Sequence, residues 1–194
     1  MIRPSKAVLR VTVALLVIAI GSLAFLYLRL KPDEKGRVIP WGEKIDTRAL
    51  PEIRDSFNNH EKLVISEGLP RRNQKEEIST KETTKIRGSY FYAKTVTPSE
   101  SDAEVLAQAI NDEAGIVEWA GAKLCGGFHP DFALQWSDSE EKTFHALICF
   151  GCSEIKIHGA GTKLYADIGD DTYRAFAETL SAYGGQRPKV EKKN

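Results

Sequence analysis

Hydrophobic and polar positions divide this chain into stretches of different period. The first is continuous: residues 11–28 contain no charge. A helix rises about 1.5 Å per residue and the hydrocarbon core of a bilayer is roughly 30 Å thick, so about 20 apolar residues span it. With Ala7 to Leu9 before the run and Leu30 after it, residues 1–30 read as a transmembrane anchor that enters the membrane through residues 7–30. A buried core helix would carry a polar stripe, and this run has none. Ser22-Leu23-Ala24 resembles the cleavage site of a secretory signal. The apolar run nevertheless continues through Phe25-Leu26-Tyr27-Leu28 to Arg29 and Lys31, which favours a retained anchor. No Cys lies near it, which excludes a lipoprotein anchor.

Residues 31–58 show no sustained period, are charged, and contain Pro32, Pro40 and Pro51, the pattern of a tether. From His60 a folded domain is expected, running over residues 59–185. Leu63-Val64-Ile65 before Glu67-Gly68-Leu69-Pro70 reads as a strand and turn, and residues 86–96, with Tyr90-Phe91-Tyr92, as an aromatic strand. Between them, residues 71–84 read as a surface helix or loop. Thr97, Pro98 and Glu100 predict a helix start, with Ala103, Leu106, Ala107 and Ile110 as its apolar stripe. Alternation of Phe132, Leu134 and Trp136 predicts a strand, Asp138 to Glu141 a turn, and residues 143–149 a further strand. Tyr173, Phe176, Ala177, Leu180 and Tyr183 share one face of a last helix, opened by Asp170 and closed by Gly184. Residues 186–194 form a polar tail. The expected fold is α+β: a transmembrane helix, then an antiparallel β-meander with two helices packed on one face.

Composition adds a constraint on partners. The chain is 42% hydrophobic and 28% charged, which suits a folded protein. Four basic residues lie in or beside the first apolar run, leaving 23 basic against 27 acidic residues from Lys31 onward. That balance excludes a strongly basic nucleic-acid binder. Arg3, Lys6 and Arg10 precede the span and Arg29, Lys31, Lys35 and Arg37 follow it, so the positive-inside count is nearly even. A charged start before one early span is the signal-anchor layout, which puts the C-terminal domain outside the cytoplasm of a single-pass membrane protein.

The chemistry worth weighing centres on three cysteines: Cys125, Cys149 and Cys152. With Phe150-Gly151 as the turn of a hairpin, Cys149 faces Cys152, Leu147 faces Glu154 and His145 faces Lys156. Phe144, Ala146, Ile148, Ile155 and Ile157 then share the opposite face, a separation that a one-residue slip would destroy. Opposed residues sit about 5.5 Å apart between Cα atoms, which suits a Cys149–Cys152 disulfide. The same pair could instead join Cys125 and His129 in a closed tetrahedral zinc site, a Cys3His set that implies a structural metal. An oxidising compartment favours the disulfide and a reducing one the metal. A redox-active CxxC lacks support, because Ser153 to Ile157 reads as a strand rather than the helix N-terminus that activates such a thiol. His145, about 13 Å along the strand from Cys149, is too far to share a small ion. His60 and His158 have no visible partner in the sequence, and residues 159–163 make a turn rather than a phosphate loop. His129-Pro130-Asp131 is the one place for acid–base work, without an accompanying nucleophilic serine motif.

Glu67-Gly68-Leu69-Pro70, Gly88 to Tyr92, Cys125-Gly126-Gly127-Phe128-His129-Pro130-Asp131 and Cys149-Phe150-Gly151-Cys152 together resemble a family of uncharacterised bacterial proteins, often exported or membrane-anchored. The resemblance covers residues 60–184. It implies one domain whose two cysteine motifs belong together; the family has no assigned activity, so no catalytic residue is carried over from it. The expectation is therefore a membrane-anchored binding or structural domain with a cysteine-centred site. The rival is an enzyme or thiol redox protein using Cys125, His129, Cys149 and Cys152, with His129 or Asp131 in acid–base work. The sequence names no ligand or protein partner.

Overall fold

In the computed structural model, residues 47–121, 123–159 and 161–188 are described. They belong to the second of two compact units, Lys44–Asn194. The expected membrane span, most of the expected tether and residues 189–194 lie outside the described residues. No helix among the described residues is long and apolar enough to cross a membrane.

Eight antiparallel strands form one sheet in the order β2-β3-β1-β5-β6-β7-β8-β4. They are β1 (His60–Gly68), β2 (Thr83–Ile86), β3 (Ser89–Val96), β4 (Ile116–Glu118), β5 (Phe132–Asp138), β6 (Thr143–Cys149), β7 (Glu154–Gly159) and β8 (Thr162–Ile168). The meander β5-β6-β7-β8 accounts for half of it. Alternation decides what each strand shows to each side. One face presents Leu63, Ile65, Phe132, Leu134, Trp136, Phe144, Ala146, Ile148, Ile155, Ile157, Leu164, Ala166 and Ile168, all buried.

Helices α1 (Leu50–Asn58), α3 (Glu100–Asn111) and α4 (Asp170–Ser181) contribute to the core on that face, through Ile53 and Phe57, Leu106 and Ile110, and Phe176 and Leu180. Trp136 stacks on Phe144, meets Phe57 edge-on, and donates its indole N–H to the Ser56 hydroxyl at 3.1 Å. A fourth helix, α2 (Gln74–Thr80), is tied to β3 by the Tyr92 hydroxyl, which donates to a Glu77 carboxylate oxygen at 2.7 Å. Burial and that carboxylate push the Tyr92 hydroxyl well above its ordinary pKa.

The α+β class and the antiparallel sheet are as expected, but the details differ at several points. Among the described residues there are four α-helices, where two packed helices were expected. Residues 50–58, expected to be tether, form α1, because Pro51 occupies the first turn where its missing N–H costs nothing. Leu50, Ile53 and Phe57 then give the apolar stripe. The expected aromatic strand is present as β3, and residues 83–86, mostly in the stretch expected as surface helix or loop, form its hairpin partner β2 through a turn at Arg87 and Gly88, both at positive φ. Ser99, rather than Thr97, caps α3: its hydroxyl oxygen accepts from the Asp102 backbone N–H at 3.2 Å. Gly169, rather than Asp170, caps α4.

The β6-β7 register also differs. Cys149 faces Glu154, Leu147 faces Lys156 and His145 faces His158. The hairpin is thus shifted by two residues, so its turn runs through residues 150–153, closed by Ser153 N–H to Phe150 C=O at 3.3 Å. A shift of two preserves which side chains share a face, so Phe144, Ala146, Ile148, Ile155 and Ile157 remain together.

Candidate functional site: a clamped loop over the second sheet face

The second face is built differently. Ile86, Phe91, Ala133 and Leu147 make a small apolar cluster with Phe128 against it. Beyond it the strands place Cys149, Glu154, Tyr165 and Asp167 on this face, all buried. Their cover is the segment between β4 and β5, residues 119–131. Trp119, fully buried, donates its indole N–H to one Glu154 carboxylate oxygen at 3.0 Å, and the Tyr165 hydroxyl donates to the other at 2.8 Å. Asp167 accepts from the Ala120 backbone N–H at 3.0 Å and pairs with Lys123 at 2.8 Å. The Lys123 ammonium also donates to the Cys152 carbonyl at 2.7 Å. The Lys156 ammonium lies 4.5 Å from the centre of the Phe128 ring and 4.6 Å from that of Tyr165.

A single pair of cysteines closes this cover. Cys125 and Cys152 stand at disulfide distance, with Cα atoms 5.6 Å apart and a sequence separation of 27. The expected opposition of Cys149 and Cys152 is lost with the register shift. Cys149 instead remains unpaired and buried, 1% exposed. Burial pushes its thiol above the ordinary value, partly offset by hydrogen bonds from backbone groups of His129 and Cys152. Gly126 and Gly127 both take positive φ, the left-handed backbone that glycine adopts without strain, and so let the loop turn back on itself. Arg71 grips that turn, donating to the Cys125 carbonyl at 2.9 Å and the Gly127 carbonyl at 2.6 Å.

The remaining motif residues meet at the same end of the sheet. Gly68 donates its N–H to the Asp131 carbonyl at 2.7 Å, and its α-carbon approaches the Pro130 carbonyl so closely that a Cβ has no room. The Asp131 carboxylate accepts from Phe150 N–H at 2.8 Å and from Arg187 at 2.9 Å. Glu67, buried, accepts from the backbone N–H groups of Gly185 and Gln186 at 3.0 and 2.7 Å. Arg187 also donates to the Gly68 carbonyl at 2.7 Å. The first residues of the expected polar tail are therefore bound into the domain. Nothing in the sequence signalled this beyond an acidic residue inside an apolar strand.

Of the four residues predicted as a zinc set, Cys125 and Cys152 come together as a sulfur pair. Cys149 stays a free, buried thiol, and His129 directs Nε2 to the Leu69 carbonyl at 2.8 Å. Among the described residues no group of three or more His, Cys, Asp or Glu side chains is arranged to hold a metal ion. His145 is half-buried, and its Nδ1 is enclosed without a hydrogen-bond partner. Burial, and to a lesser degree Arg87, hold its pKa below the ordinary value. No family model matches the chain, and no curated protein or solved structure matches it.

Glu154, Asp167, Glu67 and Asp131 each spend their carboxylate on donors supplied by the protein itself. His129 commits one ring nitrogen to a backbone carbonyl.

Proposed function

We propose that this chain is a membrane-anchored, extracytoplasmic α+β domain with a binding or structural role, and that a Cys125–Cys152 disulfide is its structural staple. The observation that carries this reading is the pairing of these two cysteines across 27 residues, at the point where the 119–131 loop closes over the second sheet face. Disulfides persist chiefly outside reducing compartments, so the pairing and the apolar run at residues 11–28 support one another. In this reading the bond holds the loop over the buried polar layer of Glu154 and Asp167. The presented surface is the loop itself, where Leu124 is fully exposed at the tip. The bacterial family resembled at the cysteine motifs is consistent with export.

Intact mass of the full chain in detergent, first native and then denatured without reductant, tests the reading. A persistent loss of two hydrogens with no metal is the expected result, together with digestion of the domain by a protease added outside intact cells. Zinc that departs on denaturation would overturn the disulfide in favour of the Cys125, His129, Cys149, Cys152 site. Three free thiols without metal would remove both.

A further inference from the structure

The two ends of the second sheet face differ in charge. The covered end holds the Glu154 and Asp167 carboxylates under the 119–131 loop. At the other end, register sets Val64, Gln135, His145, His158 and Lys163 side by side across β1, β5, β6, β7 and β8. The row beyond it is Lys62, Ser137 and Thr143. All of these residues keep some exposure and none bears a carboxylate. From Lys31 onward, by contrast, acidic residues outnumber basic ones by 27 to 23. Arg87 belongs to the same end. It follows Ile86, which is buried against Ala133 and Leu147, and these lie two positions from Gln135 and His145 respectively. A cavity of about 260 Å³ opens here, lined by Lys62, Val64, Gln135, Trp136, Ser137 and Thr143. That is below the roughly 300–1,000 Å³ of sites for drug-sized ligands, so it suits a small group. His145 borders it in register, opposite Gln135 and two residues from Thr143. Its Nδ1 is enclosed without a partner. A proton on that nitrogen would be a buried N–H with no acceptor, so the neutral ring carries it on Nε2, as a hydrogen-bond donor.

We propose that this end of the sheet is an anion site for the phosphate group of a small soluble ligand, held by Lys62, the Ser137 and Thr143 hydroxyls and the His145 Nε2–H. Arg87 and Lys163 add attraction at longer range. A phosphate brings acceptor oxygens and negative charge to a set made of donors and cations. A divalent metal ion fits that set badly, because the two imidazoles stand among lysines with no carboxylate beside them. A lipid headgroup fits it less well than a soluble phosphate. The exposed large apolar side chains among the described residues, Val105, Val117 and Leu124, which could enter a bilayer, lie on neither of these rows. The inference rests on the binding role proposed above and gives it a ligand class. It uses neither the disulfide nor the anchor, so its failure leaves both standing.

Nitrogen-resolved NMR of the histidine rings tests this, on the full chain in an uncharged, phosphate-free detergent. Sodium phosphate replaces sodium chloride at constant ionic strength and neutral pH. The His145 and His158 rings should shift and saturate in the millimolar range. The His60 and His129 rings, bonded to the Phe57 and Leu69 carbonyls, should stay in place. Lys62→Glu, at an exposed position, should weaken the response about tenfold. Lys94→Glu makes the same charge change at an exposed position of β3 and should leave the response unchanged. Absence of a saturating shift overturns the site. Equal weakening by the two variants overturns it as well, since that is general charge screening. The last arm places the chain in lipid nanodiscs. Rings that ignore soluble phosphate, but move when phosphatidylglycerol replaces phosphatidylcholine, overturn the soluble ligand in favour of a membrane headgroup.

Discussion

The two faces of the sheet show two ways of covering one layer of strands. Three helices cover the first face with apolar side chains that are almost wholly buried, and its cohesion is non-directional and spread over many residues. One irregular segment covers the second, held by a few directional contacts: Trp119 and Tyr165 on Glu154, Lys123 on Asp167, Arg71 on two carbonyls, and one pair of sulfurs. An apolar cover loses stability in proportion to the area removed. A polar cover fails when one partner is removed, because the other stays buried and unsatisfied. The first face should therefore set the global stability. The second should set where the molecule opens first.

Perturbing each face in turn sharpens that contrast. Phe176→Ala, which empties a fully buried site on the helical side, should cost about 3–5 kcal/mol in urea unfolding. A loss below about 1 kcal/mol would mean that α4 is peripheral. Reduction of the staple by a phosphine should cost about 2–4 kcal/mol. Hydrogen exchange should then accelerate in residues 119–131 while β5 and β6 keep their protection. Uniform acceleration would mean that the two covers are one cooperative unit. Glu154→Ala strands the Trp119 and Tyr165 donors and should cost about 1–3 kcal/mol, with Glu154→Gln recovering part of it.

The smallest effect is the pH response of His145. Its folded pKa is lowered, so between the folded value and the ordinary 6.5 the unfolded chain binds more protons. Stability from the neutral ring is complete above about pH 6.5 and is lost as pH falls toward the folded value. Urea midpoints measured below pH 6.5 should fall more steeply for the native chain than for His145→Asn. Parallel profiles would remove the ring from the account.

Period-2 alternation made β5 and β6 legible, since Phe132, Leu134, Trp136, Phe144, Ala146 and Ile148 declare one face without reference to anything distant. The same argument could not settle the β6-β7 turn. Segregation of faces distinguishes odd from even slips, and a slip of two passes the test unchanged. Helix α1 was hidden because its stripe is short and Pro51 reads as a breaker unless its place in the first turn is known. Strand β2 was hidden at the end of the charged stretch before the aromatic run, because it is four residues long and Arg87, a non-glycine at positive φ, gives no turn signal. Cys125, His129, Cys149 and Cys152 were legible as a group, and the pairing within the group was not, because three cysteines 27 residues apart do not state their connectivity. The layer of Glu154, Asp167 and Lys123 was illegible for a related reason. Each reads as a surface charge until a covering loop turns it into an interior group.

The Glu67 carboxylate depends on backbone donors 118 and 119 residues further along the chain. Until Gly185 and Gln186 have been synthesised, β1 holds a carboxylate whose native partners do not exist. Contacts this far apart in sequence slow folding and place it late. The polar contacts of β1 are therefore completed only when residues 185 and 186 reach it, a late step that leaves Glu67 open to water in every earlier state of the domain.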